Sequence, residues 1–167
     1  MKELLRIEDV EKYYGSNKNL TKAINRITFT VNQEEFTGIM GASGSGKTTL
    51  LNLLATVDTV TSGHIWYGNE DITRMNEDQM ADFRKNNLGF VFQDYNLLDT
   101  LTLKENISLA MSLTKKGRKE IAERTKDIME RLDIWSCRDK FPYEVSGGQK
   151  QRCACARALI NHPQIVF

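Results

Sequence analysis

Eight consecutive residues, Gly41-Ala42-Ser43-Gly44-Ser45-Gly46-Lys47-Thr48, have the spacing G-x-x-x-x-G-K-[ST] without a mismatch. Each residue type has a task in holding phosphate. The glycines let the backbone fold tightly and turn its N–H groups toward anionic oxygens. A helix starting near Lys47 adds the positive end of its dipole. The Lys47 ammonium is a point charge suited to β- and γ-phosphates, and the Thr48 hydroxyl can take a place on Mg²⁺. With Thr49, these residues form the first candidate nucleotide-binding set. A chance match in a chain of this length arises on the order of half a per cent of the time. The base is not specified by the loop. The D-x-x-G and N-K-x-D patterns of guanine recognition do not follow it, and Asn17-Lys18 precedes it.

The surrounding elements have to hold that loop in place. "EFTGIM", residues 35–40, is a short, mostly apolar run and predicts a buried strand leading into the loop. "TTLLNLLATV" behind it predicts a helix. Upstream, "LLRIEDVEKYY" and "AINRITFTV" have partial period-two patterning and predict antiparallel strands, with turn chemistry over residues 15–19. Downstream, Ser62-Gly63 predicts a break and "HIWYG" a strand. Asn76 with Gln79 three residues on predicts a capped surface helix in "NEDQMADFRKNN", and "LGFVF" predicts another strand. From about residue 95 to 144 the texture is helical, with Ile121, Thr125, Ile128 and Leu132 on one stripe that reads as core packing. A helix, "GQKQRCACARALI", and a strand, "PQIVF", close the sequence.

The bulk composition excludes several classes. The chain has 167 residues, 40% apolar and 27% charged, with a formal net charge of +1. That is an ordinary globular balance, without the basic excess expected of a nucleic-acid or anionic-lipid binder. No apolar run approaches the ~20 residues of a membrane span, and "MKELLRIEDVEKYYG" is no signal peptide, so an intracellular protein is expected. Three cysteines, Cys137, Cys153 and Cys155, make no disulfide framework. Cys153 and Cys155 stand two apart, which points them to different sides of a helix and favours packing over metal binding.

A second stretch carries the decision. "EVSGGQKQRCACARALI", residues 144–160, presents Ser146-Gly147-Gly148-Gln149 at a helix start, another place with hydroxyl and N–H donors for an anion. Followed by Lys150-Gln151-Arg152 and Ala156-Arg157-Ala158-Leu159, it resembles the signature motif of ATP-binding-cassette (ABC) ATPases. The resemblance covers nearly the whole chain. It implies ATP and Mg²⁺ as ligands and a head-to-tail dimer with a second cassette, in which each ATP lies between one phosphate loop and the partner's Ser146, Gly147, Gly148 and Gln149. It implies that Tyr14, or its neighbour Tyr13, stacks on adenine. It also gives Gln93 a catalytic place, with its side-chain oxygen reaching Mg²⁺ or the attacking water alongside Lys47 and Thr48. Residues 94–103 would face a separate transmembrane permease. "GIMGASGSGKTTLLNLL", "LGFVFQDYNLLDTLTLKENI" and "VSGGQKQR" look most like the branch that exports or senses antimicrobial peptides of the bacitracin type, near the macrolide-export and lipoprotein-release ATPases. Val145 and Ala42 are mild departures, standing where the wider family often has Leu and Pro.

The fold class expected is α/β: a P-loop NTPase (RecA-like) core with an antiparallel β flank and an inserted helical subdomain, incomplete at the C-terminus. Residues 1–93 would be flank and core, 94–145 the helical subdomain, and 146–167 the signature helix and the start of the Walker B strand. In the family that strand runs on into an Asp that holds Mg²⁺ through water and a Glu that acts as general base, with a switch His later. None of these follows "NHPQIVF". A partial protein is therefore expected, with hydrolysis by the fragment lowered by orders of magnitude. The function expected is the ATP-hydrolysing subunit of a membrane transporter, cytoplasmic and held at the inner face of the membrane through its permease. The rival readings are an ABC-type ATPase acting on nucleic acid, which the balanced charge and short insertion disfavour, and an ATP-binding remnant without turnover.

Overall fold

The structure is a computed structural model that describes residues 2–16, 19–114 and 116–167. Its chain divides into two compact units, one up to residue 81 and one from residue 82 onward.

In the first unit, β1 (Glu3–Tyr14) and β2 (Thr21–Asn32) pair antiparallel, with Leu5 opposite Val31, Ile7 opposite Phe29 and Val10 opposite Ile27. The partial alternation fits the pairing: Leu5 and Ile7 are buried two apart, and a register irregularity after Ile7 brings in the buried Val10 three residues on. Asn19 N–H donates to the Ser16 carbonyl at 2.8 Å in the turn between them. The turn residues Asn17 and Lys18 lie outside the described residues. Helix α1 (Lys47–Leu54) buries Leu50, Leu53 and Leu54. β3 (Ser62–Tyr67) runs antiparallel to β1 on its other side and carries β4 (Glu70–Asp71), giving the order β2-β1-β3-β4. The Tyr67 hydroxyl is buried and donates to the Leu54 carbonyl at 2.6 Å, fixing the end of α1 against β3.

Two expectations for this unit need correction. Ser62-Gly63 does not break the chain but opens β3. Gly63 takes φ +87°, and its bare Cα admits the Asp9 carbonyl oxygen to within 2.4 Å of where a Cβ would stand. The buried strand expected over residues 35–40 is absent: no strand forms there, Phe36 is fully exposed and Met40 nearly so. A strand of this kind is stabilised by neighbours on both edges, and among the described residues this run has no strand beside it.

Helix α2 (Glu77–Asn87) begins as expected. Asn76 N–H donates to Gln79 Oε1 and Gln79 N–H to Asn76 Oδ1, both at 2.9 Å, a reciprocal cap.

In the second unit, β5 (Leu88–Gly89) pairs parallel with β6 (Ile165–Val166), and the ladder extends through Val91 N–H to the Phe167 carbonyl at 2.8 Å. Between these strands lie α3 (Leu103–Ser112), α4 (Arg118–Arg131), two short 3₁₀ turns over Trp135–Cys137 and Pro142–Glu144, and α5 (Gly147–Leu159). Leu103, Ile107, Met111, Met129, Ile134 and Ile160 pack around the small Cys153 and Ala156 of α5. Full burial of each large side chain is worth ~1.5–3 kcal/mol. The α4 stripe is core as expected, with its centre at Thr125 and the unforeseen Met129. Ile121, Ile128 and Leu132 are only partly covered. Among the described residues, no helix is long and apolar enough to cross a membrane.

Candidate functional site

The glycine-rich loop sits in the first unit between residue 40 and α1. Gly44 takes φ +77°, and Gly46, the residue before the helix, takes φ +88° in the left-handed region. A Cβ on Gly46 would lie 2.5 Å from the Ala23 carbonyl oxygen of β2, so the loop reaches the sheet only because that position is glycine. No side chain caps α1 and its first turn has no acidic residue. Its leading N–H groups are therefore free to meet an anion. Lys47 Nζ folds back to donate to the Gly41 carbonyl at 2.9 Å and the Ala42 carbonyl at 2.7 Å. Gly41, Ala42, Ser43, Ser45 and Thr48 are exposed. Uncapped helix donors, tight left-handed glycines and a lysine held over the loop fit a bound polyphosphate.

Tyr14 ends β1 beside the start of α1. Its hydroxyl donates to Asp58 Oδ2 at 2.6 Å, and its ring lies under Lys12 Nζ at 4.9 Å from the centroid. The Asp58 hydrogen bond, with burial, pushes the phenol pKa up, while Thr49 on α1 acts in the opposite sense. Lys12 is buried and also donates to Asp58 Oδ1 and to the Thr59 carbonyl, both at 2.6 Å. Burial alone would raise the Asp58 carboxyl, but the bonds from Lys12, Tyr14 and the Thr59 N–H outweigh it and hold it below its usual range. Neither Lys12 nor Asp58 was singled out by sequence reasoning. The available signal was a lysine at an inward position of an alternating strand. Tyr13 is held elsewhere, its hydroxyl on Glu11 at 3.0 Å and its ring under Lys22.

The other candidates belong to the second unit. Ser146 precedes α5 as a reciprocal cap: its Oγ accepts from Gln149 N–H at 3.3 Å, and its own N–H donates to Gln149 Oε1 at 2.9 Å. Gln149 Nε2 donates onward to Cys137 Sγ at 3.1 Å. Gly148 faces open space, and Gly147 lies under the Tyr95 phenol. Gln93 is exposed in the loop after β5, just before Tyr95 and Asn96, which take φ +61° and +46°. The structure thus gathers Tyr14, the phosphate loop and Thr49 in one unit, and Gln93 with Ser146, Gly147, Gly148 and Gln149 in the other. Cys153 is packed in the core, where burial pushes its thiol up to about 12.

A family model described as ABC transporter matches residues 24–167. The chain belongs to the ABC transporter family. It is 48% identical over 164 residues to the bacitracin export ATP-binding protein BceA of Halalkalibacterium halodurans, covering 98% of this chain and 65% of that protein. A second relative, an uncharacterized ABC transporter ATP-binding protein of Methanocaldococcus jannaschii, is 39% identical, with 98% and 73% covered. Among solved structures, a dimeric bacterial ABC transporter cassette matches with a TM-score of 0.87 and 32% identity, covering 98% of this chain and 72% of that one. An ATP-binding cassette dimer in a post-hydrolysis state, bound to ADP and Pi, matches with a TM-score of 0.86 and 31% identity, with the same coverage. The fold is therefore that of an ABC cassette of the P-loop NTPase class. The chain spans about 65% of the length of the bacitracin-export relative.

Proposed function

We propose that this chain is the nucleotide-binding part of an ATPase that drives a membrane transporter, with antimicrobial peptides of the bacitracin type as cargo. One observation carries the reading: a single ABC-family chain presents two glycine-flanked helix starts with donors for phosphate, one at Gly46–Lys47 and one at Ser146–Gly148. The cargo assignment is supported by the likeness to a protein named for bacitracin export.

The chain's own groups divide the work. The loop amides and the first turn of α1 bind the β- and γ-phosphates, and Lys47 gives up its two carbonyl partners to take phosphate oxygens. Tyr14, its ring set by Asp58 and Lys12, offers a flat face to adenine. Thr48 is the group beside the loop that would hold Mg²⁺, whose charge offsets that of the phosphates. On this reading Gln93 is the catalytic group whose side-chain oxygen serves the metal or the attacking water. Ser146, Gly147, Gly148 and Gln149 serve the nucleotide of a second cassette, as the dimeric cassettes of like fold suggest. The permease is a separate chain, and the ATPase acts at the cytoplasmic face of its membrane.

The test is ATP binding and hydrolysis by the protein as its gene encodes it, beside Lys47→Ala. Micromolar binding with turnover, lost by 10²-fold or more in the variant, is expected. Equal weak binding by both forms would sink the reading.

A further inference from the structure

We propose that Arg157 is a positioning residue for Gln93: it ties the loop that leaves Gln93 to the signature helix, so that the two shift together. The inference rests on the ATPase reading above for Gln93's role, while the tie itself consists of hydrogen bonds from Arg157.

Tyr95 and Asn96 both hold left-handed backbone, a conformation that asparagine tolerates but that strains a tyrosine. Such a segment persists only where its surroundings over-determine it. Here two side chains do so. Arg157, half-buried on α5, donates Nη2–H to the Tyr95 carbonyl at 2.8 Å and Nη1–H to the Asn96 carbonyl. The guanidinium fork thus takes both left-handed peptides at once, a geometry a lysine cannot reproduce. Further along, the buried Asn106 of α3 accepts from Leu98 N–H at 2.7 Å and donates to the Leu98, Leu101 and Thr102 carbonyls at 3.0 Å. Asn106 therefore fixes the far end of the loop, and Arg157 fixes the end next to Gln93.

Arg157 stands eleven positions after Ser146 on the signature helix, about three turns from the helix start. The Tyr95 ring closes the arrangement from the other side. Its phenol oxygen lies 3.6 Å from where a Cβ of Gly147 would stand. One strained residue thus bonds α5 through its carbonyl at Arg157 and leaves its phenol beside the helix start at Gly147. A displacement of α5 along or about its axis must therefore carry Tyr95, and Gln93 two residues before it. On this proposal Arg157 acts through Gln93, because its guanidinium is taken up by the Tyr95 and Asn96 carbonyls.

Two measurements on the protein as its gene encodes it test this. Hydrogen exchange reads the tie without any turnover: in Arg157→Met, amides over residues 93–98 should exchange about tenfold faster, while those of α4 stay unchanged. Arg157→Lys should recover at most part of the protection. Unchanged exchange over residues 93–98, or a uniform rise across the unit, overturns the tie. The second is a double-mutant cycle on ATP turnover with Gln93→Ala. Arg157→Met alone should lower kcat about tenfold with little change in KM, and should add nothing in the Gln93→Ala background. Additive losses overturn the proposal. A wild-type protein that neither binds nor hydrolyses ATP overturns the ATPase reading instead, and the exchange result still decides the tie.

Discussion

Replacing Gly46 by alanine separates the geometry of the phosphate loop from its composition. The residue sits at φ +88°, ψ 5°, and left-handed backbone costs an L-residue roughly 1–2 kcal/mol. Space adds a second penalty. The new Cβ would stand 2.5 Å from the Ala23 carbonyl oxygen and 3.0 Å from Ile24 Cδ1. Both belong to β2, and a backbone oxygen cannot swing aside, so α1 and β2 must move apart by about half an ångström or more. Overpacking of this kind costs roughly 1–3 kcal/mol. The sum is about 2–5 kcal/mol, against a typical domain stability of about 5–15 kcal/mol. Gly44→Ala provides the control: φ is +77° there, but nothing lies within 4 Å of the added carbon, so only the backbone penalty of roughly 1–2 kcal/mol applies. Urea unfolding followed by circular dichroism gives both values, and titration with a fluorescent ATP analogue gives the loss of binding. If Gly46→Ala unfolds within about 0.5 kcal/mol of wild type, or is no worse than Gly44→Ala, the close approach to β2 is wrong.

Gly148→Ala should act in the opposite sense on the fold: the position is helical and open, so stability should rise by roughly 0.5–1 kcal/mol, while ATP-driven dimerisation, followed by gel filtration, should be lost. Thr125→Val should raise the melting temperature by a few degrees, about 1 kcal/mol, because the Thr125 hydroxyl is fully buried with no hydrogen-bond partner among the described residues. Lys12→Met should cost about 1–3 kcal/mol at pH 7 by stranding Asp58. Since the Asp58 carboxyl is held below its usual 3.8, its contribution is present above that pH and is lost as pH falls through the lower folded value. The gap between wild type and variant in urea melts should therefore narrow as pH falls below 3.8. Cys153, its thiol pushed up to about 12 by burial, should resist a thiol reagent at pH 8 until the chain is unfolded.

Local signals in the sequence were read well, and signals that depend on distant partners were not. The partial alternation of β1 and β2, the Asn76–Gln79 cap and the glycines of the loop all act over a few residues, and each produced the element expected. The apolar run over residues 35–40 carries the same kind of signal, yet no strand forms, because a buried strand is a property of its neighbours as much as of itself. Lys12 shows the converse. Its type marks it as a surface residue, but the pair with Asp58, far along the chain, makes it buried. The loop contacts of Arg157 and Asn106 were hidden for a related reason. Their partners are backbone carbonyls of an irregular loop, and no side-chain pattern advertises a carbonyl.

The two helix starts proposed to face phosphate are unequal, and the inequality sets an order for the proposed ATPase. No side chain caps α1, so its first-turn donors have only water or a ligand to satisfy them. At α5 the Ser146–Gln149 box already occupies one helix N–H and the Ser146 N–H, and Cys137 holds the Gln149 amide in that arrangement. Because Ser146 Oγ accepts from Gln149 N–H, its own hydroxyl hydrogen remains available to donate outward. The first site therefore suits a phosphate arriving from water, and the second suits one already held elsewhere. Pyrophosphate should accordingly protect the amides of residues 44–50 from exchange at concentrations that leave residues 146–150 unchanged. Simultaneous protection of both stretches in monomeric protein would show that capping does not set the order.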